Sequence, residues 1–285
     1  MNPINFGLSM FSATTTKTGC GRCVREGVKA WVRRRAGIGG CIGLGLAAST
    51  GVYAQVSSVN SAIIQPRFFN DQPASTLTVV SNYPSLISFD DQGVSGASGF
   101  ANRHVWHFSS DGGTSAYAFQ NDDFFQVSMT VTLSGTTGAG ATRKEAGFVL
   151  NTIGGDGQFI VNTDAHEIVA FGGPLPFFAF PTNFDSGETI TLGMTYFLDG
   201  NGKRAIIYSA DGVQSPPQEF SNLEQGIIDG STLGGYMQVV ISTNVANFGT
   251  ASFGNIAISQ SVPEPAVFAL LALGALPLLL RRRRA

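Results

Sequence analysis

The chain has 285 residues, of which 43% are hydrophobic and only 13% charged, with 36 glycines and 22 phenylalanines against two tryptophans. That mix suits many short strands joined by glycine turns and excludes a helical bundle. The formal charge of −2 hides a partition: seven bases precede residue 55 and four occupy 281–284, which leaves six bases against 17 acids between them, about −11, and argues against nucleic acid as a partner.

In chain order, the first 54 residues read as a leader. Arg33 to Arg35 precede an apolar, small-residue run from Ala36 to Ala48, and Val52-Tyr53-Ala54 places small side chains where a signal peptidase reads them, with cleavage after Ala54. Cys20, Cys23 and Cys41 all lie in this leader, and the domain that follows has no cysteine. A thiol nucleophile and a disulfide framework are thereby excluded from that domain.

From about Ala62 the chain reads as strand after strand. Phe125, Val127, Met129, Val131 and Leu133 alternate with polar residues, and Ile190, Leu192, Met194, Tyr196 and Leu198 do the same. This is the period of a strand with one face to a core. Shorter strands are predicted at 86–90, 104–109, 145–151, 157–162, 166–171, 203–209, 236–242 and 253–259. Turn signals separate them at Gly154 to Gly157, Thr163 to Ala165, Asp199 to Gly202 and Asp229-Gly230. So many antiparallel strands in residues 55–261 predict an all-β, two-sheet jelly-roll sandwich, because one open sheet would leave long edges unpaired. The order of EAGFVLNT, GGDGQFIVNT, HEIVAFGG, a Gly-Glu before a long strand, DGNG and GGYMQV resembles the concanavalin A-like lectin and glucanase sandwich, including laminin-G-type modules.

No linear catalytic motif stands out in this domain. The Glu-x-Asp-x-x-Glu run of jelly-roll glucanases is missing; Glu145 and Glu167 each open a strand alone and read as solvated strand-end carboxylates. His104 and His107, three apart, point to opposite faces of a strand, and with His166 they read as satisfied surface histidines. Asp122, Asp123, Asp156 and Asp199 sit in oxygen-rich loops with the ligand chemistry of Ca2+, although turn residues need no ion. No other cofactor is expected. Phe177, Phe178 and Phe180 lie on a proline-stiffened loop, either to stack on sugar faces or to fold back and close one end of the sandwich.

The chain closes with Val262-Pro263-Glu264-Pro265, an apolar run over 266–280 and Arg281, Arg282, Arg283 and Arg284. The run is short for a membrane span, but the arginines after it make a stop-transfer anchor by the positive-inside rule. The two prolines hold Glu264 in an extended, readable conformation. This three-part tail resembles the PEP-CTERM sorting signal of exported bacterial proteins over residues 262–285. The resemblance implies passage through the inner membrane, transient anchoring by the 266–280 helix, removal of the tail by an exosortase-type enzyme, and a final place at the cell surface or outside the cell. The expectation for the domain is a non-catalytic sandwich that binds an exopolysaccharide or other glycan; the alternative is an unusual polysaccharide-active, glucanase-like enzyme.

Overall fold

The computed structural model describes residues 56–96, 99–137, 143–220, 226–240 and 247–260. A single 3-10 turn at Val56–Ser58 precedes fifteen strands. They are β1 (Ser61–Asn70), β2 (Thr76–Asn82), β3 (Leu86–Val94), β4 (Ala101–Ser109), β5 (Phe125–Gly135), β6 (Lys144–Thr152), β7 (Gly155–Asn162) and β8 (Glu167–Phe171). There follow β9 (Phe178–Ala179), β10 (Thr189–Leu198), β11 (Arg204–Ala210), β12 (Val213–Gln214), β13 (Gln218–Glu219), β14 (Thr232–Val240) and β15 (Asn247–Gln260).

The strands form two sheets. Sheet A runs β1-β4-β14-β6-β7-β8-β9, and sheet B runs β12-β11-β10-β5-β15-β3-β2 with β13 also on β11. Every pairing among the described strands is antiparallel. This is the jelly-roll sandwich expected from the alternating pattern. Among the described residues no helix is long and apolar enough to cross a membrane.

The core lies between the sheets and follows from period two. Sheet B contributes Ile87, Phe89, Val127, Met129, Val131, Leu133, Leu192, Met194, Tyr196, Ile206, Tyr208, Ala251 and Phe253, all but fully buried. Trp106 and Phe108 of β4 meet them from sheet A, and Trp106 packs edge-on against Phe108 at 5.2 Å and Phe253 at 6.0 Å. His104 also faces this core, where its Nε2 is 3.0 Å from Asp91 Oδ2. The Arg67 backbone N–H donates to His104 Nδ1 at 3.1 Å, so that nitrogen carries the lone pair and Nε2–H donates to Asp91. In the same cross-strand row as Asn102, Lys144 is buried, donating to the Thr136 carbonyl at 2.6 Å and to Asn247 Oδ1 at 3.1 Å. Burial lowers its pKa to about 8.

Sheet A is apolar on its outward face too. Val105, Val149, Ile160, Val169 and Tyr236 form a second buried cluster there, with Phe171 against it. The register explains the grouping: Val105 is opposite Tyr236, Tyr236 opposite Gly147, Gly147 opposite Ile160, and Ile160 opposite Val169. These positions form one row across five strands, with Val149 beside the gap that Gly147 leaves on β6.

The Gly234-Gly235 pair lets β14 press against β4. A Cβ on Gly234 would meet the Trp106 carbonyl oxygen at 1.8 Å and His107 Cα at 2.6 Å, and backbone atoms in a central strand cannot yield that distance. Gly234→Ala is therefore expected to cost at least about 2 kcal/mol of stability, measured by denaturant unfolding; a loss well under 1 kcal/mol contradicts this account of the β4-β14 contact.

Candidate active site

Residues at alternate positions of β4, β14, β6 and β7 share the outward face of sheet A, and there the sequence places polar groups around the apolar row. Arg103 and His107 come from β4, Tyr236 and Gln238 from β14, Glu145 and Asn151 from β6, and Asp156 and Gln158 from β7. Two hydrogen-bonded groups result.

The first links Arg103 to His107. Arg103 Nη1 donates to Asp156 Oδ2 at 3.1 Å, Asn151 Nδ2 donates to Asp156 Oδ1 at 2.7 Å, and His107 Nε2 lies 2.6 Å from Asn151 Oδ1. Because Asn151 presents its oxygen, His107 Nε2 carries the proton and Nδ1 carries the lone pair. That Nδ1 is buried and has no hydrogen-bond partner. Burial lowers the His107 pKa below its usual 6.5, with the Asn151 hydrogen bond opposing and the Arg103 charge reinforcing the shift. The result is a neutral imidazole with a free basic nitrogen.

Arg103 is held by more than Asp156. Its guanidinium lies over the Tyr236 ring at 4.6 Å and over Phe68 at 5.8 Å, within cation-π range. Its Nε and Nη2 are buried without hydrogen-bond partners. Two nitrogens of a charged group, with three N–H donors between them, are thus left without partners, a costly arrangement in a protein that binds nothing there.

The second group centres on Glu145, which is 2% exposed. Arg143 Nε is 2.7 Å from its Oε1, while Tyr236 OH at 3.1 Å and Gln238 Nε2 at 3.2 Å donate to Oε2. The Tyr236 hydroxyl also lies 2.9 Å from Gln158 Oε1. Burial raises the Glu145 pKa, against the lowering pull of Arg143 and Tyr236, and burial with the Glu145 charge holds the Tyr236 phenol well above its usual range. Tyr236 therefore keeps its proton at neutral pH and acts as a hydrogen-bond donor in this group.

Three sequence expectations change here. Glu145 is not a solvated strand-end carboxylate, because β6 runs through the middle of sheet A and turns it into a packed face. His104 and His107 do point to opposite faces, but neither is a surface residue: they are 0% and 4% exposed. His166 is exposed and pairs with Asp185. Arg103, Asn151, Gln158, Tyr236 and Gln238 went unnoticed, since they come together only through pairing of distant strands.

The four acidic residues considered for Ca2+ lie at three separate places in the chain and take other partners. Asp122 pairs with Arg204 at 2.6 Å, Asp123 accepts from the Gln120 N–H at 2.8 Å, and Asp156 belongs to the His107 relay. Asp199 accepts the Asn201 and Lys203 N–H groups, each at 2.8 Å, and closes its hairpin. Among the described residues no group of three or more His, Cys, Asp or Glu is placed to hold a metal. On the proline-stiffened loop, Phe180 stacks on Phe159 at 5.9 Å and Phe178 meets Phe180 edge-on at 4.9 Å, whereas Phe177 is 70% exposed. Cys20, Cys23, Cys41, Val52, Ala54, the bracket Val262 to Pro265, the helix expected over 266–280 and Arg281 to Arg284 lie outside the described residues.

No family model matches the chain, and no curated protein does. Solved structures similar to it include the alginate lyase AlgAT5 of polysaccharide lyase family 7, at 10% identity and TM-score 0.43 over 73% of this chain and 100% of that one. Another is the endo-β-1,4-glucuronan lyase of the fungus Trichoderma reesei, at 10% identity and TM-score 0.40, covering 71% and 96%. A third is carbohydrate-binding module CBM66 of Bacillus subtilis, at 11% identity and TM-score 0.36, covering 65% and 95%. The expectation of a non-catalytic domain is corrected at this point: polysaccharide lyases stand among the similar structures. That expectation followed from the lack of a linear motif, which says nothing of polar groups carried on four separate strands.

The buried neutral state of His107 has a consequence for stability. Its folded pKa lies below 6.5, so unfolding takes up a proton in acid, and the contribution is complete above about 6.5 and lost as pH falls toward the folded value. His107→Gln is expected to flatten this part of the curve of melting temperature against pH; an unchanged slope below pH 6.5 contradicts the assignment.

Proposed function

We propose that the domain is a polysaccharide-active β-sandwich that cleaves a uronic-acid polysaccharide by β-elimination on the outward face of sheet A. What supports this reading is one observation: His107 Nδ1 and Arg103 Nε and Nη2 are buried, unpartnered and on the same face of one strand. Positions 103 and 107 are about 13 Å apart along β4, and Arg103 narrows the gap by laying its guanidinium over Tyr236.

A base with a free lone pair near a cation with free N–H groups suits removal of a proton next to a carboxylate. Arg103 accepts the uronate carboxylate and stabilises the charge that spreads onto it. His107 Nδ1 takes the C5 proton, the C5–H electrons form the C4–C5 double bond, and the C4–O glycosidic bond breaks. The leaving oxygen then takes a proton from the imidazolium, which restores the neutral base. Asp156 and Asn151 are positioning residues that fix the His107 tautomer. Although the domain is acidic as a whole, two of its six bases, Arg103 and Arg143, stand at this site.

We read the two ends as export signals. Residues 33–54 direct export and cleavage by signal peptidase, and the PEP-CTERM-like tail anchors the chain in the inner membrane until an exosortase-type enzyme removes it. The mature protein then meets exopolysaccharide at the cell surface or beyond it. Intact-mass measurement of secreted protein is expected to show loss of Arg281 to Arg284; secreted material that keeps them overturns the sorting reading.

For the chemistry, alginate and β-1,4-glucuronan are incubated with the full chain, and the unsaturated sugar end is followed by its ultraviolet absorbance. Arg103→Lys and His107→Gln are each expected to lower kcat by about 100-fold or more. The ratio kcat/KM is expected to rise with pH through a value below 6.5, where His107 loses its proton. Failure of the wild-type chain to cleave either polymer, or full activity of His107→Gln, overturns the reading.

A further inference from the structure

We propose that a pocket at the β1 side of sheet A, ringed by Phe68, Phe69 and Phe100, is the sugar-stacking subsite for the uronate whose carboxylate Arg103 holds. The inference rests on the reading above and names a part of the site that the acid-base groups do not include. Arg103 and Gln238 complete the lining, so the pocket is continuous with those groups.

Three large apolar side chains are exposed here together: Phe68 by 53%, Phe69 by 45% and Phe100 by 53%. Single exposed apolar residues are ordinary, but three around one depression mark a surface that is covered in use. The cavity is about 130 Å³, near the roughly 150 Å³ that accommodates a benzene-sized ring. That is the scale of a single six-membered ring.

The pocket is built rather than incidental. After Pro66 the β1-β4 register shifts between Gln65 and Phe69, and Arg67 takes φ of 56°. Few non-glycine residues adopt that conformation, and it holds only where surroundings enforce it. The Arg67 guanidinium supplies the enforcement, donating to Asn70 Oδ1 at 2.7 Å, Ser75 Oγ at 3.0 Å and the Gln72 carbonyl at 3.3 Å. Across the pocket, the Asp71 carboxylate accepts the backbone N–H groups of Phe100 and Ala101. Both sides of the aromatic ring are thus pinned by charged side chains, so little order remains to be lost on binding.

The choice of occupant follows from Arg103. Its side chain is 11% exposed, its ring contacts are Phe68 and Tyr236, and Nε and Nη2 have no hydrogen-bond partner. Aromatic faces beside unpaired guanidinium donors match a pyranose with an apolar face and a carboxylate edge. A neutral sugar satisfies the first feature only, and an apolar peptide leaves the donors buried and unpaired.

The test uses the full chain carrying His107→Gln, so that substrate is bound and not consumed, with alginate tetrasaccharide and cellotetraose as probes in calorimetric titration. Phe68→Ala and Phe100→Ala are each expected to weaken alginate binding about tenfold with unchanged melting temperature, and cellotetraose is expected to bind at least about tenfold more weakly. In the chain that retains His107, Phe100→Ala is expected to raise KM and leave kcat and its pH profile in place, while Phe68→Ala, which also takes a ring from under Arg103, is expected to raise KM. Phenylalanine-dependent binding without turnover keeps the subsite and sinks only the lyase chemistry. Turnover with unchanged KM in both variants overturns the subsite and keeps the chemistry. Equal affinity for the two probes overturns the carboxylate preference, and a change of oligomeric state in Phe68→Ala without any sugar binding reassigns the pocket to a protein contact.

Discussion

The hydrogen bond from His104 to Asp91 fixes which way β4 faces, and both faces of sheet A depend on it. Because side chains alternate, a one-residue slip of β4 sends Trp106 and Phe108 outward and Arg103 and His107 into the core. A buried carboxylate with an imidazole partner tolerates no such slip. Asn102 adds to the pin by donating to Asp91 Oδ2 at 2.8 Å. The Asp91 pKa is lowered: its hydrogen bonds to His104, Ser75 and Asn102 outweigh the cost of burial, the largest single influence. The core and the candidate site are therefore held in register by one polar contact that belongs to neither the apolar packing nor the chemistry.

Sheet A differs from a common sandwich sheet in what it does with its second face. Sheet B turns Gln126, Ser128, Thr130 and Thr132 outward, as the alternating pattern directs. Sheet A turns Val105, Val149, Ile160 and Tyr236 outward and surrounds them with Arg103, His107, Glu145 and Gln238. Low dielectric around the polar groups strengthens each hydrogen bond and makes each missing one expensive. That is why the unmade bonds of His107 and Arg103 weigh more than the satisfied ones.

The long strands of sheet B were legible because half of their positions are plainly polar. In β5 and β10 the alternation runs unbroken, and both lie where it places them. β1 was harder to read: Pro66 and the bulge after it break the period, although the strand spans Ser61–Asn70. β15 is 14 residues long, but the sequence placed a strand only over 253–259, across the irregularity between Gly254 and Ala257. The opposed directions of His104 and His107 followed from spacing alone. The surroundings of His107 did not, because Asn151 is 44 residues away in sequence and reaches it only through the order β4-β14-β6. The burial of Glu145 was hidden for the same reason, since Tyr236 and Gln238 lie more than 90 residues further along.

The way the sheets end bears on how copies of the chain meet at high concentration. Sheet A finishes in the two-residue β9 and sheet B in the two-residue β12, and the opposite border of sheet A is β1, bent by Pro66 and its bulge. Unpaired backbone on a long straight border is a template for cross-chain pairing, and these three borders offer little of it. Only β2, with seven residues, presents a longer run. With about −11 of charge on the segment between the two ends, neighbouring copies also repel one another. Such a molecule resists setting into fibres when many copies are crowded together.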